Sequence, residues 1–291
     1  MKAYIFSGQG SQKEGMGHDL VKTSHTPYEY LEMANRILGF DMSRLMFEGT
    51  AKELKQTQVT QPAVFLYSVI KARTSRDFKP DMVAGHSLGE FAALSAVRTI
   101  SIADGLRLVH TRALAMQKVC DAIPSGMAAV LGIDDSIVEA ICASITEEIV
   151  VPANYNCPGQ LVISGSMKGL EIAKEKIMEA GARRVLPLNV NGAFHSPVMQ
   201  SAKEELMAAI NDTVFKAPPV PIYQNNTALP SLDPDEIKEN LIAHLTSPVK
   251  WTQSIENMIV DGAKQFIEMG PRPILSSMIK KIDRRFIPVH M

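Results

Sequence analysis

The stretch MVAGHSLGEFAALSAV, residues 82–97, decides the fold. An apolar run stops at Gly85, His86 and Ser87 follow side by side, and after Gly89 the chain resumes with helix-forming residues. The spacing Gly85-x-Ser87-x-Gly89 is that of a nucleophile elbow. There a strand ends, the chain turns sharply and a helix begins, with the serine at the tip in a strained conformation and its hydroxyl exposed. Glycine on both sides leaves room for the turn and for close strand–helix approach. Serine and glycine are common in loops, so an ordinary strand–turn–helix junction is the competing reading. PDMVA before the turn and FAALSAV after it fit the elbow on both sides.

Working outward, KAYIF (2–6) is apolar without alternation and reads as a strand buried on both faces. A glycine-rich loop, SGQGSQKEGMG, follows. Helices are expected at PYEYLEMANRILG, TAKELKQT and QPAVFLYSVIKARTS, then the strand DMVAG, then the long helix SIADGLRLVHTRALAMQKV, with Ser101 as N-cap and Asp104 three positions on. From about residue 126 the rhythm changes. GMAAVLGI (strand), DDSIVEAICASI (helix), IVVPANYN and QLVISG (strands joined by a turn at CPG), KGLEIAKEKIMEAG (helix stopping at Gly181) and RRVLPLNV (strand) give β-α-β-β-α-β, the ferredoxin-like order. Residues 126–190 thus read as a subdomain inserted into a larger α/β domain made of 1–125 and 191–291. After it come a helix at SPVMQSAKEELMAAIND, a strand at VPIYQNN, helices at DPDEIKENLIAHLT and WTQSIENMIVDG, a strand at KQFIEMG, a helix at RPILSSMIKKI and a last strand at RRFIPV. Strands alternating with helices predict a mostly parallel sheet covered on both faces.

Composition excludes several function classes. With 46% apolar and 21% charged residues, the 291-residue chain is ordinary globular material. Lysine plus arginine number 30 against 31 aspartate plus glutamate, which gives no ground for nucleic acid or an anionic membrane as partner. Cys120, Cys142 and Cys157 are isolated and make no metal or redox spacing. The apolar run at MKAYIFSGQG is too short for a signal peptide, and no stretch reaches the length of a membrane span. The expectation is a soluble, cytoplasmic protein.

A serine nucleophile needs a base. Of seven histidines, His18, His25 and His290 fall in loops or near a terminus, and His110 sits mid-helix, where a surface role is the usual one. His86 adjoins Ser87, but neighbouring side chains at a turn point apart, so it reads as pocket-lining. His195, in NVNGAFHSPVM between a strand and a helix, lies where ligands gather in open α/β sheets. It is the candidate base, a structural histidine being the alternative. No aspartate offers itself as third member of a triad, so backbone carbonyls would have to hold the imidazole. Acyl transfer also needs two oxyanion donors. One is the backbone N–H after the nucleophile, Leu88; the other comes from a second loop, for which Gln9 between two glycines is the candidate and a plain surface loop the alternative. Arg112 interrupts an apolar helical stripe between Leu108 and Met116. It is a structural ion pair, a snorkelling side chain or a fork for a substrate carboxylate.

Taken together, FSGQGSQ, GHSLGE, HTRALAMQ, NCPGQ, GAFHSPVM and SPVKW resemble, in this order and over about residues 3–275, the malonyl-CoA:acyl carrier protein transacylases of bacterial fatty acid synthesis. The resemblance implies an α/β-hydrolase-like large domain with an inserted ferredoxin-like subdomain. It implies Ser87 as the acylated nucleophile, His195 as its base in a dyad, and the Gln9 and Leu88 amides as oxyanion hole. Arg112 is then the grip on the malonyl carboxylate, Phe194 the malonyl-selecting residue, and Met116 and His86 share the substrate pocket. Some relatives carry glutamine where His244 stands, a position whose backbone carbonyl orients the base. No metal or tightly bound cofactor is implied. The partners are a coenzyme A thioester and an acidic acyl carrier protein, for which KKIDRR (280–285) and Arg183 with Arg184 are candidate docking cations. Acyl transfer to polyketide carrier proteins, a thioesterase or esterase, and a non-catalytic carrier-binding module are the alternatives.

Overall fold

A computed structural model describes residues 1–22, 26–190 and 192–291 of the chain. His25 of the histidine set and Asn191 of NVNGAFHSPVM lie outside the described residues. The first strand shows why the sheet forms. In β1 (Lys2–Phe6), Tyr4 and Phe6 face one core while Ala3 and Ile5 face a second. Side chains alternate across a strand, so a strand covered on both sides is apolar throughout.

Four helices follow: α1 (Thr26–Leu38), α2 (Met42–Glu48), α3 (Ala51–Leu54) and α4 (Thr57–Thr74). Then come β2 (Met82–Gly85), α5 (Leu88–Ala96) and α6 (Ile102–Ala122), the last capped by Ser101, whose hydroxyl accepts the Asp104 N–H. The next six elements are β3 (Ser125–Leu131), α7 (Asp135–Ser144), β4 (Val150–Cys157), β5 (Gln160–Ser166), α8 (Met167–Glu179) and β6 (Arg184–Pro187). The chain finishes with α9 (Gln200–Asn211), β7 (Ile222–Tyr223), β8 (Pro230–Ser231), α10 (Pro234–Ala243), α11 (Trp251–Val260), β9 (Gln265–Met269), α12 (Leu275–Ile282) and β10 (Val289–His290).

Two sheets result. The larger has the order β10-β9-β1-β2-β7-β8 and is parallel except for β8. The smaller, β4-β5-β3-β6, is antiparallel, with α7 and α8 packed on it over a core of its own. Its strand order and its β-α-β-β-α-β sequence are those of the ferredoxin-like arrangement. The α/β architecture with a parallel sheet and a second, ferredoxin-like sheet is therefore present.

Three local readings need correction. Asp41 caps a helix that the sequence pass missed, its carboxylate accepting the Arg44 N–H at 2.9 Å. TAKELKQT is not one helix, because α3 ends at Leu54 and α4 starts at Thr57. RRFIPV is not a strand. Phe286 N–H turns back to the Asp283 carbonyl and its ring packs on Phe266, so pairing with β9 starts only at Val289. Among the described residues, no helix is long and apolar enough to cross a membrane.

Candidate active site

β1, β2 and β9 end in register: Phe6 lies opposite both Gly85 and Met269. The loop from Ser7, the turn at Ser87 and the entry to α12 therefore leave one edge of the sheet together, where open α/β sheets bind ligands. Close approach is enforced by two glycines. A Cβ on Gly89 would sit 2.0 Å from the Phe6 carbonyl oxygen, and one on Gly8 2.5 Å from that of His86. Any side chain at either position would push the loop or α5 away from the turn.

Ser87 has φ 52° and ψ −110°, the strained geometry of a nucleophile elbow. Only four described non-glycine residues have positive φ, and His195, at 59°, is another of them. The two meet: His195 Nε2 lies 2.8 Å from Ser87 Oγ. The other ring nitrogen, Nδ1, lies 3.1 Å from the backbone carbonyl of His244. A carbonyl only accepts, so Nδ1 carries the hydrogen and Nε2 is left free to accept from the serine. Burial, reinforced by the nearby Arg112 charge, pulls the His195 imidazole down to about 3. It is neutral at neutral pH, the form that accepts a proton. His244 is buried, and burial together with the His195 and Arg112 charges holds it well below the ordinary histidine range.

Arg112 reaches the same point from α6. Its Nη2 donates to Ser87 Oγ at 3.1 Å and its Nη1 to Gln61 Oε1 at 2.7 Å. It is 2% exposed, its Nε has no partner, and among the described residues it makes no ion pair. Burial lowers the guanidinium to about 10, so it stays a cation at neutral pH. Buried charges are ordinarily paired; this one faces a serine, an amide and the Phe91 ring. The buried Glu90 carboxylate attracts it only from beyond ion-pair distance, so the guanidinium has bonding capacity left on the Ser87 side.

A cavity of about 210 Å³ gathers Gln9, His86, Ser87, Arg112, Met116, Phe194 and His195, with Asn154 and Asn156 of β4 and Met278 of α12 on its walls. Leu88 is the first residue of α5, where the amide has no intrahelical acceptor. The Gln9 loop is tied down by Arg272, whose guanidinium donates to the carbonyls of Gly10, Ser11 and Gln12. His86 lines the cavity but bonds away from Ser87, its Nε2 lying 2.9 Å from Asn156 Oδ1. A larger hollow of about 930 Å³ shares Gln9, Val190 and Phe194 with the cavity and opens toward Lys13, Lys52 and Lys55. The reacting groups lie in the smaller one.

Among the described residues, the other histidines stay outside the cavity lining. His110, read as a surface residue, is half-buried beside Phe40, because α6 packs against α1. His290 bonds the Gly270 carbonyl. The sequence reading missed Gln61, Asn156 and Asn225. Gln61 carried a signal, being a polar residue at the head of an apolar helical run; Asn156 stood within NCPGQ without a role.

The chain matches the acyl transferase domain family over residues 3–285. A malonyl CoA-acyl carrier protein transacylase of Bacillus subtilis (strain 168) is 40% identical over 287 residues, 97% of this chain and 90% of the relative. One of Staphylococcus aureus (strain MRSA252) is likewise 40% identical, over 97% and 92%. An acyl carrier protein S-malonyltransferase of Vibrio cholerae has the same fold, with a TM-score of 0.96, 36% identity, and coverage of 100% of this chain and 96% of that one. A malonyl-transacylase solved in complex with its type II polyketide synthase acyl-carrier protein follows at 0.94 and 32%, covering 100% and 95%.

Proposed function

The chain belongs to the acyl transferase family, among the malonyl-CoA:acyl carrier protein transacylases, and from that premise we propose that Ser87 is its nucleophile, His195 its base and Arg112 its carboxylate grip. The reaction moves a malonyl group from malonyl-CoA to the phosphopantetheine thiol of acyl carrier protein, supplying malonyl-carrier for fatty acid synthesis. His195 Nε2 takes the Ser87 proton as Oγ bonds to the thioester carbonyl carbon. The carbonyl electron pair moves onto oxygen, facing the Gln9 and Leu88 amides. Collapse breaks the C–S bond, and coenzyme A leaves with the proton from His195. In the second half the carrier thiol gives its proton to His195 and attacks malonyl-Ser87. The ester C–O bond breaks and Ser87 regains its proton. Every step uses side chains, amides and the two thiols, so no cofactor is called for. We place the reaction in the cytoplasm.

The observation that carries this reading is Arg112, a buried cation with neutral partners beside the nucleophile. A malonyl ester on Ser87 brings its free carboxylate within reach of that guanidinium, and Phe194 and Met116 bound the acyl space. We take residues 126–190 as a subdomain that supplies the β4 wall of the cavity. For the acidic carrier we propose the surface where the two basic segments meet. Lys281 reaches Gln160, the first residue of β5, and Arg183 packs on Gly132, which is bonded to Gly159 of the β4–β5 turn.

Intact-mass spectrometry after mixing with malonyl-CoA tests the assignment. One malonyl adduct is expected, absent in Ser87→Ala and formed in His195→Ala some two to four orders of magnitude more slowly. An adduct that persists in Ser87→Ala, or His195→Ala acylating at the wild-type rate, would sink it. Rapid release of free malonate without carrier protein would favour the hydrolase reading.

A further inference from the structure

Past β7 the chain runs into Gln224 and Asn225, both fully buried. The Asn225 side chain grips the backbone on either side of His86. Its Oδ1 accepts the Ser87 N–H at 2.7 Å, and its Nδ2 donates to the Gly85 carbonyl at 2.6 Å. Asn225 is itself fixed. Its backbone N–H donates to Glu90 Oε2 at 2.9 Å, and its carbonyl accepts the Lys250 N–H at 2.8 Å. Glu90, one turn into α5 and fully buried, takes a second hydrogen bond on Oε1 from Gln224 Nε2 at 3.1 Å.

This network is out of proportion to the packing needs of a surface turn, and it converges on the one peptide unit that carries the strain. A serine at φ 52° relaxes by rotating its amide, and that rotation breaks the bond to Asn225 Oδ1. We propose that Asn225 is a positioning residue that locks Ser87 in its elbow conformation, with Glu90 as the buried anchor that locks Asn225. The lock also occupies the Ser87 amide. The oxyanion donors are thereby restricted to Leu88 and the Gln9 loop, and Ser87 Oγ is held on the His195 side. The inference rests on Ser87 being the nucleophile; it adds a residue from the loop after β7 to the machinery and touches no substrate atom.

The test is steady-state kinetics of malonyl transfer, with labelling of Ser87 by a fluorophosphonate probe and thermal melting. Asn225→Ala should lose about a hundredfold in kcat, with KM for malonyl-CoA nearly unchanged, because the loss is one of nucleophile geometry and not of binding. Probe labelling should slow in step. Asn225→Asp keeps the acceptor for the Ser87 N–H but not the donor to Gly85, so it should fall between wild type and Asn225→Ala. Glu90→Gln keeps one acceptor for the Asn225 amide but turns its own NH2 toward the Gln224 donor, so it should fall between wild type and Glu90→Ala, which should follow Asn225→Ala. Wild-type kcat and labelling in Asn225→Ala would overturn the proposal, as would a change confined to KM. If Asn225→Ala does not fold, Asn225→Asp decides: a folded protein with unchanged kcat and labelling rate refutes the lock. Failure of the underlying reading looks different, because the malonyl adduct would then survive in Ser87→Ala.

Discussion

Two buried charges, Arg112 and Glu268, stand at the same edge of the sheet and are treated in opposite ways. Glu268, at the end of β9, is fully buried and collects five donors. They are Ser7 Oγ, the backbone N–H groups of Ile274, Leu275 and Ser276, and Ser276 Oγ, all at 2.6–2.8 Å. It ties the first loop to the start of α12, whose free amides need an acceptor. Arg112 is as deeply buried but has two neutral acceptors and an unpartnered Nε. A charge satisfied within the protein holds the fold. A charge left short of partners has bonds to spare, which is what the proposed carboxylate grip requires. The contrast yields a criterion that burial alone does not: the number of unmet bonds.

The largest effect should come from the satisfied charge. Glu268→Ala strands three backbone amides at a buried helix start and should destabilise the fold by about 3–5 kcal/mol. Activity should fall as well, since Leu275 and Met278 of α12 line the cavity. Chemical denaturation reads this directly. A loss under about 1 kcal/mol would break the contrast, for the five bonds would then hold nothing.

A smaller effect separates the histidines. His195, His86 and His244 all have folded values below the ordinary 6.5, chiefly through burial. The unfolded chain therefore binds protons that the folded one refuses. Their contribution is complete above about pH 6.5 and is lost on acidification, that of His195 as pH falls toward 3. Glu90 acts the other way: burial lifts it to about 7, so its contribution is complete below about 4.5 and is lost as pH rises through 7. Between about 4.5 and 6.5 the three histidines outweigh it, and stability should drop on acidification. His244→Gln should flatten that slope by as much as ~1.4 kcal/mol per pH unit, one proton's worth. It should keep most of the activity, because the hydrogen bond that orients His195 is accepted by the His244 carbonyl and the side chain adds only a ring contact at 5.0 Å. An unchanged slope would mean that the side chain is not held neutral in the fold.

What was legible in the sequence follows the same division. The elbow, the two sheets and the positions of Ser87, His195 and Arg112 were readable, because each leaves a local mark: a glycine spacing, an uninterrupted apolar strand, a charge on an apolar stripe. The Ser87–His195 contact spans 108 residues and Asn225 reaches Ser87 across 138, distances at which one sequence has no periodicity to read. Glu268 went unremarked for a related reason. Its donors are backbone amides, which every sequence has, and only the register of β9 with β1 brings Ser7 to it. β10 was misplaced because a turn around Asp283 competes with pairing, and the side chains that form it suit either outcome.

The smallest effect on the fold is expected at the proposed carboxylate grip. Arg112→Ala breaks no close ion pair among the described residues. Buried Glu90, which feels the guanidinium at longer range, keeps its Gln224 and Asn225 donors, so melting should stay close to wild type. Acylation by malonyl-CoA should fall by about two to three decades, the loss of a charge-assisted fork worth on the order of 2–5 kcal/mol. Acylation by acetyl-CoA, which offers no carboxylate, should be unchanged or improved. Melting and both acylation rates, measured on wild type and Arg112→Ala together, test the account most directly. An intact fold with a collapsed malonyl-to-acetyl preference is the predicted result. A large melting shift with an unchanged preference would make Arg112 a structural charge like Glu268 and contradict the account.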